Sequence, residues 1–131
     1  MKRFFDTNVL VYAQTEDPRA AKAREEIAQG GIVSVQVLNE FANVMRRKFN
    51  RSWEEITVAA ADIETALGPA LPLTPGPHRE ALELARRHSL SFFDALIIAS
   101  AADAGCDILL TEDMQSGAKI AGVQILNPFK N

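Results

Sequence analysis

Short apolar runs that read as strands alternate along this chain with longer segments of helical periodicity. The strand candidates are "KRFF" at residues 2–5, "GIVS" at 31–34, "CDILLT" at 106–111 and "VQILN" at 123–127. A weaker candidate, "ALPLTP" at 70–75, is confined by its prolines to a sheet edge. This alternation predicts a three-layer α/β/α domain, in which a parallel sheet of four to five strands has helices on both faces.

Helix start and stop signals divide the segments between these runs. Helices are predicted from about residue 9, at 19–29, at 35–49, at 53–67, at 77–88 and at 89–105. Ser34 is a predicted N-cap, and Ser52 with Glu55 forms a predicted capping box. Residues 89–105 are apolar on nearly every side, which indicates a buried helix. No linker divides the chain, so residues 1–131 are predicted to form a single domain.

The charge and cysteine content limit the classes of function. The net charge is −3, so a polyanion would have to be bound by a local basic patch or through a metal ion. The lone Cys106 excludes an intramolecular disulfide and fits a reducing cytosol. Neither an N-terminal signal pattern nor an apolar run near the ~20 residues of a membrane helix is visible. We therefore expect a cytoplasmic protein without membrane contact.

Four acidic residues that are distant in sequence are predicted to meet at one edge of the sheet. Asp6 directly follows the first strand, and Asp113 lies just beyond "ILLT". Glu40 lies early in the helix that leaves residues 31–34, and Asp94 is in the first turn of the buried helix. In an open α/β sheet, ligands bind beyond the carboxyl ends of the strands. The topology alone brings all four carboxylates to that rim.

Each acid also has a purely structural interpretation. Asp6 suits the cap of the helix that follows it, and Glu40 suits an exposed position beside an apolar stripe. Asp94 completes a Ser-x-x-Asp capping box with Ser91, and Asp113 suits an ordinary loop. These interpretations do not explain why all four residues fall at the same rim.

Clustered carboxylates favour a bound cation. Carboxylates a few ångströms apart repel each other and raise one another's pKa, and a divalent cation removes that cost. Ligands that offer only oxygen select Mg²⁺ or Mn²⁺. The two histidines, His78 and His88, lie in a polar helix and are predicted to be exposed, so a zinc site is not indicated. Carboxylate-held Mg²⁺ suits phosphodiester hydrolysis.

Four motifs together resemble one known family. "FFDTNVLVYA", "VLNEFANVM", "LSFFDALIIASA" and "LLTEDM", in this order and spacing, resemble the PIN-domain ribonucleases, above all the small VapC-type toxins of toxin–antitoxin pairs. The resemblance covers almost the whole chain. It implies a PIN-like fold and a Mg²⁺- or Mn²⁺-dependent endoribonuclease that hydrolyses RNA with a metal-activated water.

The resemblance also implies roles for the acids. Asp6 and Asp94 correspond to direct metal ligands, while Glu40 and Asp113 act through metal-bound waters or a second ion. Glu112 stands beside Asp113, but in the family pattern the equivalent of Asp113 points inward.

Small polar residues beside these acids are further candidates. Thr7, Asn8 and Thr111 are expected to orient the metal or the substrate, because family members often place such residues near the metal.

The expected partners are an RNA substrate, a small antitoxin that covers the acidic site, and a second copy of the chain in a homodimer. The candidate RNA-binding residues are Arg46, Arg47, Lys48 and Arg51. They surround Phe49, which offers a ring for stacking on a base. The same cations also suit the C-terminus of a helix, where they interact favourably with its dipole, and both interpretations stay open.

Two other classes of protein also use an acid at the end of a strand. A phosphatase of the haloacid-dehalogenase type needs a second acid two residues later, where this chain has Asn8. A receiver domain needs an acceptor Asp after a middle strand and a Lys at the rim, and neither "GIVS" nor "ILLT" supplies them in that form. The alternative that stays open is a catalytically silent PIN-like or receiver-like Mg²⁺-binding domain for protein interaction.

Overall fold

The computed structural model describes residues 1–130, which fold into alternating strands and helices. The helices are α1 (Thr7–Ala13), α2 (Ala20–Ala28), α3 (Val35–Arg47), α4 (Trp53–Leu67), α5 (Pro75–His88) and α6 (Phe92–Asp103). The strands are β1 (Arg3–Phe5), β2 (Ile108–Leu110), β3 (Lys119–Ile120) and β4 (Val123–Leu126).

The four strands form one sheet in the order β1-β2-β4-β3. The β1/β2 and β2/β4 pairs are parallel, and only the β3/β4 pair is antiparallel. This mostly parallel sheet confirms the predicted α/β class. The antiparallel β3 was not predicted. It turns into β4 through Ala121 and Gly122, which have positive φ angles of 53° and 81°, as a two-residue hairpin turn requires.

Two of the predicted strands are reduced to single bridges. Ile32 pairs with Phe4, and Leu71 pairs with Ser34, both in the parallel sense. Ser34 already serves as the N-cap of α3, so the extended segment ends two residues after Ile32. Pro72 has no N–H to continue the ladder beyond Leu71. The prediction of a strand at 31–34 and of a weak edge strand at 70–75 was therefore wrong in extent. Residues 31–34 lie beside β1, and Leu71 in turn pairs with residues 33–35.

The core lies between the sheet and the helices. Phe4 and Phe5 on β1 and Leu109 and Leu110 on β2 are fully buried. Helix α6 is buried along residues 95–101 and contacts α5, β2 and β4, as its apolar sequence predicts. Burial of one such large side chain contributes about 2 kcal/mol. Among residues 1–130, the structure has no helix with the length and apolar character needed to cross a membrane.

Gly31 allows the chain to pass closely over β1. A Cβ atom at this position would lie 2.5 Å from Cε2 of Phe5 and 3.0 Å from the carbonyl oxygen of Arg3. We expect Gly31→Ala to lower the free energy of unfolding by about 1–3 kcal/mol, because the Phe5 ring must move within a packed core. Urea denaturation measures this difference.

Gly76 provides the matched control for this substitution. It lies in the first turn of α5, and a Cβ atom there would meet nothing within 4 Å. Gly76→Ala should therefore leave stability unchanged or raise it by up to about 1 kcal/mol, since alanine loses less backbone entropy on folding. Equal effects of the two substitutions would show that Gly31 is not needed for close packing.

Candidate active site

The four predicted acids line one cavity of about 400 Å³. Asp6 follows β1, Glu40 projects from α3, Asp94 lies in the first turn of α6, and Asp113 lies in the loop after β2. They reach this cavity from four separate parts of the chain. The structure thus brings together all four residues, as the topology predicts.

Asp6 is the most buried of these acids, with 6% of its surface exposed. It is the N-cap of α1, and its Oδ1 accepts a hydrogen bond of 2.7 Å from the Thr7 amide. Its Oδ2 accepts one of 2.8 Å from the Thr111 hydroxyl. Because Asp6 caps α1, the helix begins at Thr7 rather than near residue 9. The capping interpretation of Asp6 therefore holds together with its position in the cavity.

The surroundings of Asp6 raise its pKa to about 6. Burial away from water is the largest cause, and the nearby charges of Glu40 and Asp113 add to it. The hydrogen bonds from Thr111 and Thr7 lower the pKa but do not cancel the effect of burial.

Glu40 is fixed by two donors. The Thr7 hydroxyl donates to Oε2 at 3.0 Å, and the Gln36 side-chain amide donates to Oε1 at 3.1 Å. Gln36 was not predicted, although it lies four residues before Glu40 and therefore on the same face of the helix.

The structure separates Asp113 from Glu112. Asp113 lines the cavity, and its Oδ2 accepts a hydrogen bond of 2.9 Å from the Asn8 side-chain amide. Glu112 does not line the cavity; it accepts hydrogen bonds from the Tyr12 hydroxyl and from the Arg19 guanidinium. The inward-facing acid of "TEDM" is therefore Asp113.

Arg19 binds the loop after β2 to the N-terminal helices. Its guanidinium forms ion pairs of 2.8 Å with both Asp17 and Glu112 and lies 4.1 Å above the centre of the Tyr12 ring. Burial and the carboxylate of Glu112 raise the pKa of Tyr12 to about 12, so its hydroxyl remains a donor at neutral pH. This cluster holds the residue before Asp113 in place.

Thr111 connects three of the site residues through one hydroxyl group. It is completely buried and donates to Asp6. Its oxygen also accepts from the Asp113 backbone N–H at 3.2 Å and from the Asn8 amide at 3.3 Å. The predicted small polar residues Thr7, Asn8 and Thr111 thus all contact at least one of the acids.

The capping interpretation of Asp94 accounts for its backbone but not for its carboxylate. The Asp94 N–H donates to the Ser91 hydroxyl at 3.2 Å. In α4, Ser52 and Glu55 make both bonds of a capping box. Within residues 1–130, the reciprocal bond from the Ser91 backbone to the Asp94 carboxylate is not formed. That carboxylate lines the cavity instead.

The basic patch is only partly directed to the cavity. Its predicted members are Arg46, Arg47, Lys48 and Arg51. Only Lys48 lines the cavity, beside Phe49. The Arg46 guanidinium lies 5.0 Å from the centre of the Trp53 ring and donates to the Arg51 carbonyl at 3.0 Å. Arg51 itself donates to the Gln14 carbonyl at 3.4 Å. Arg46 and Arg51 therefore have structural contacts.

The donor chemistry of the cavity suits a hard cation, although the side chains are not gathered into a closed site. Across residues 1–130, no group of three His, Cys, Asp or Glu side chains is arranged to hold a metal ion by itself. His78 and His88 are exposed, as predicted. Oxygen atoms are the donors offered by the four acids, and Mg²⁺ in proteins commonly keeps several waters beside one or two carboxylates. Burial is the main cause of the raised pKa of Asp6, and repulsion from Glu40 and Asp113 adds to it; a bound cation would remove the repulsive part.

Further lining residues were not among the predicted site residues. Tyr12, Asn43 and Phe93 line the same cavity. Asn43 follows Glu40 by three residues on α3, and Phe93 directly precedes Asp94. Helical spacing would have indicated Asn43, whereas the position of Phe93 depends on how α6 packs.

Comparison with known proteins gives one family. The family model described as the PIN domain matches residues 3–119. Among solved structures, VapC20 of Mycobacterium tuberculosis, a sarcin–ricin-loop-cleaving toxin, is 26% identical with a TM-score of 0.67, covering 82% of this chain and 87% of that chain. A search of curated proteins finds no match.

Two more distant structures share the fold. A toxin–antitoxin complex from Klebsiella pneumoniae contains a chain that is 18% identical with a TM-score of 0.73, covering 99% of this chain and 100% of that chain. VapBC2 from Rickettsia felis, bound to a DNA fragment from their promoter, is 18% identical with a TM-score of 0.70, covering 95% and 97%.

The raised pKa of Asp6 predicts how stability depends on pH. The folded protein binds the Asp6 proton more tightly than the unfolded chain does, because the pKa of this carboxyl in the unfolded chain is the ordinary 3.8. Without metal, the free energy of unfolding should therefore fall as the pH rises from about 4 to about 6, by up to about 3 kcal/mol. Chemical denaturation in EDTA measures this slope. Asp6→Asn should lack this contribution, and an unchanged slope in that variant would assign it to other groups.

Proposed function

We propose, from the premise that this chain belongs to the PIN domain family, that it is a metal-dependent endoribonuclease and the toxin of a type II toxin–antitoxin pair. The observation that carries this proposal is the single cavity lined by Asp6, Glu40, Asp94 and Asp113. The similarity to a toxin that cleaves the sarcin–ricin loop supports RNA as the substrate class.

The roles of the acids in this proposal are those that the family resemblance implies. Asp6 and Asp94 would hold a Mg²⁺ or Mn²⁺ ion directly, and Glu40 and Asp113 would act through its waters or hold a second ion. When bound, the cation would lower the pKa of a water and neutralise charge on the leaving phosphate. Thr7, Asn8 and Thr111 keep the carboxylates oriented through the hydrogen bonds described above.

The side chains that donate hydrogen bonds to the acids are uncharged. Hydroxyl and amide groups orient the acids without cancelling their charge, so the cavity keeps its attraction for a cation. Lys48 is the cationic side chain that lines this cavity, and it is the best placed of the four basic residues to contact a phosphate. Arg47 is exposed at the end of α3 and would act only on RNA that extends beyond the cavity.

The expected partners follow from the family. Toxin–antitoxin complexes among the similar structures favour a small antitoxin that covers the acidic cavity. A homodimer and a cytoplasmic location belong to the same proposal.

A catalytically silent interaction domain is the second candidate. The observation that favours it is that, in residues 1–130, three acidic side chains are not grouped closely enough to hold a metal ion without other ligands. The two candidates differ in whether the purified protein cleaves RNA when Mg²⁺ or Mn²⁺ is added.

Asp94→Asn should abolish cleavage while the fold is kept. The Asp94 N–H still donates to the Ser91 hydroxyl in this variant, so the cap of α6 remains. We expect cleavage of total RNA in Mg²⁺ or Mn²⁺ to fall at least 100-fold, because a direct metal ligand is lost. Asp103→Asn, at the exposed end of the same helix, is the matched control and should cleave normally. A fully active Asp94→Asn variant would remove Asp94 from the mechanism.

Metal binding should be visible without any activity measurement. Because a cation held by the cavity binds only the folded state, Mg²⁺ at ten times its Kd should stabilise the protein by about 1.4 kcal/mol. Thermal unfolding with increasing MgCl₂ should show a rising Tm in the wild type and in Asp103→Asn. The rise should be smaller in Asp94→Asn. The same Tm at all millimolar Mg²⁺ concentrations would contradict metal binding at the acids.

A further inference from the structure

Phe93 is an exposed aromatic residue at the edge of the acidic cavity. It lies in the first turn of α6, directly before Asp94, and 58% of its surface is exposed. It lines the acidic cavity and also an adjoining groove of about 510 Å³. Its ring therefore stands where a molecule bound at the acids would extend along the surface.

The Phe93 ring is supported from one side. It packs edge-to-face on Phe92, with ring centres 5.6 Å apart and planes at 71°. Phe92 in turn packs edge-to-face on His78, also at 5.6 Å. These contacts favour one orientation of the Phe93 ring, and a preoriented ring loses little entropy when a flat group stacks on it.

The opposite wall of the groove offers polar groups that can donate and accept. It is formed by Gln36, Asn39, Glu40 and Asn43 of α3. Asn39 and Asn43 are exposed and lie one helical turn apart. Each side-chain amide carries both a carbonyl acceptor and an NH₂ donor, which match the edge of a nucleobase.

The polar and aromatic walls of this groove suit a nucleobase better than an apolar side chain of a protein partner. An apolar side chain from a protein partner would cover Phe93 but would leave the desolvated amides of Asn39 and Asn43 without partners, which is costly. An unpaired base satisfies both walls, since it stacks on the ring and hydrogen-bonds along its edge.

We propose that Phe93, with Asn39 and Asn43, binds one unpaired nucleobase next to the phosphodiester presented to the acids. This inference rests on the proposed ribonuclease function and adds the side chains that hold a base beside the cut. Since Phe93 and Asp94 line the same cavity, the stacked base belongs to a nucleotide that flanks the cleaved bond.

The test combines two Phe93 variants with altered substrates. Phe93→Leu keeps an apolar side chain without the aromatic face, and Phe93→Tyr keeps the ring. The substrates are a single-stranded RNA oligonucleotide that the wild type cleaves and versions with one abasic nucleotide at each position around the cut. We expect Phe93→Leu to lower kcat/KM by about 5- to 150-fold and Phe93→Tyr to retain activity. Leu82→Ala, an exposed apolar residue of α5 outside the cavity, is the control.

The abasic series identifies the stacked base. At one flanking position, the abasic substrate should reduce cleavage by the wild type and should cause no further loss in Phe93→Leu. Equal activity of Phe93→Leu and wild type would overturn the base site and leave Phe93 as a protein contact. The base site would also be overturned if, at every position, the loss caused by the abasic nucleotide multiplied the loss caused by Phe93→Leu.

Binding separates this inference from the proposed function. The inactive Asp94→Asn protein should bind a fluorescent form of the intact oligonucleotide. The double variant that also carries Phe93→Leu should bind it more weakly, whereas the double variant with Phe93→Tyr should bind it equally well. RNA that binds in this way but is not cleaved by the wild type would overturn the nuclease proposal and keep the base site. RNA binding that is insensitive to Phe93, or absent, would overturn the base site.

Discussion

The parallel register of β1 and β2 is the constraint on which the acidic cavity depends. Phe5 is paired with Leu110, so the next residue of each strand, Asp6 and Thr111, leave the sheet side by side. The Asp6 N–H continues the ladder to the Leu110 carbonyl at 3.0 Å, and the Thr111 hydroxyl meets the Asp6 carboxylate. A slip of one residue would turn the side chains of the slipped strand to the opposite face.

Around this pair, the protein concentrates negative charge and directs most nearby positive charge elsewhere. Glu40 and Asp113 are oriented by Gln36, Thr7 and Asn8, which carry no charge. Arg19 lies close by, but its guanidinium is paired with Asp17 and Glu112. The pKa of Asp6 is raised mainly by its burial, and the neighbouring charges of Glu40 and Asp113 raise it further. A site arranged in this way is least stable when it is empty and fully ionised, which is the state that a cation relieves.

The sequence predicts the fold class and the position of the acids because both follow from chain order. Alternation of strands and helices determines which edge of the sheet each element reaches, and Asp6, Glu40, Asp94 and Asp113 all lie at the edge where the parallel strands end. The predictions that failed depend on single hydrogen bonds. Residues 31–34 were predicted as a strand, but the cap at Ser34 ends that segment early.

Other features depend on packing that no local pattern reports. The hairpin of β3 and β4 turns at Ala121 and Gly122, which lack the Asn-Gly signature of such turns. The choice between Glu112 and Asp113 is decided by Arg19, a residue more than ninety positions earlier in the chain. The groove beside Phe93 is lined by Phe93 from α6 and by residues of α3, and neither helix indicates it alone.

The hydroxyl of Thr111 has a consequence for how related chains are compared. Threonine and valine have nearly the same shape and both suit the end of a buried strand, so a pattern of strand propensity hardly distinguishes them. Yet this one oxygen contacts Asp6, Asn8 and the backbone of Asp113. Consider two chains with the same alternation of strands and helices and the same four acids. If one carried valine here, the acidic side chains of its pocket would be held less firmly than those of the other. Whether this oxygen is present separates an organised acidic pocket from a merely acidic surface.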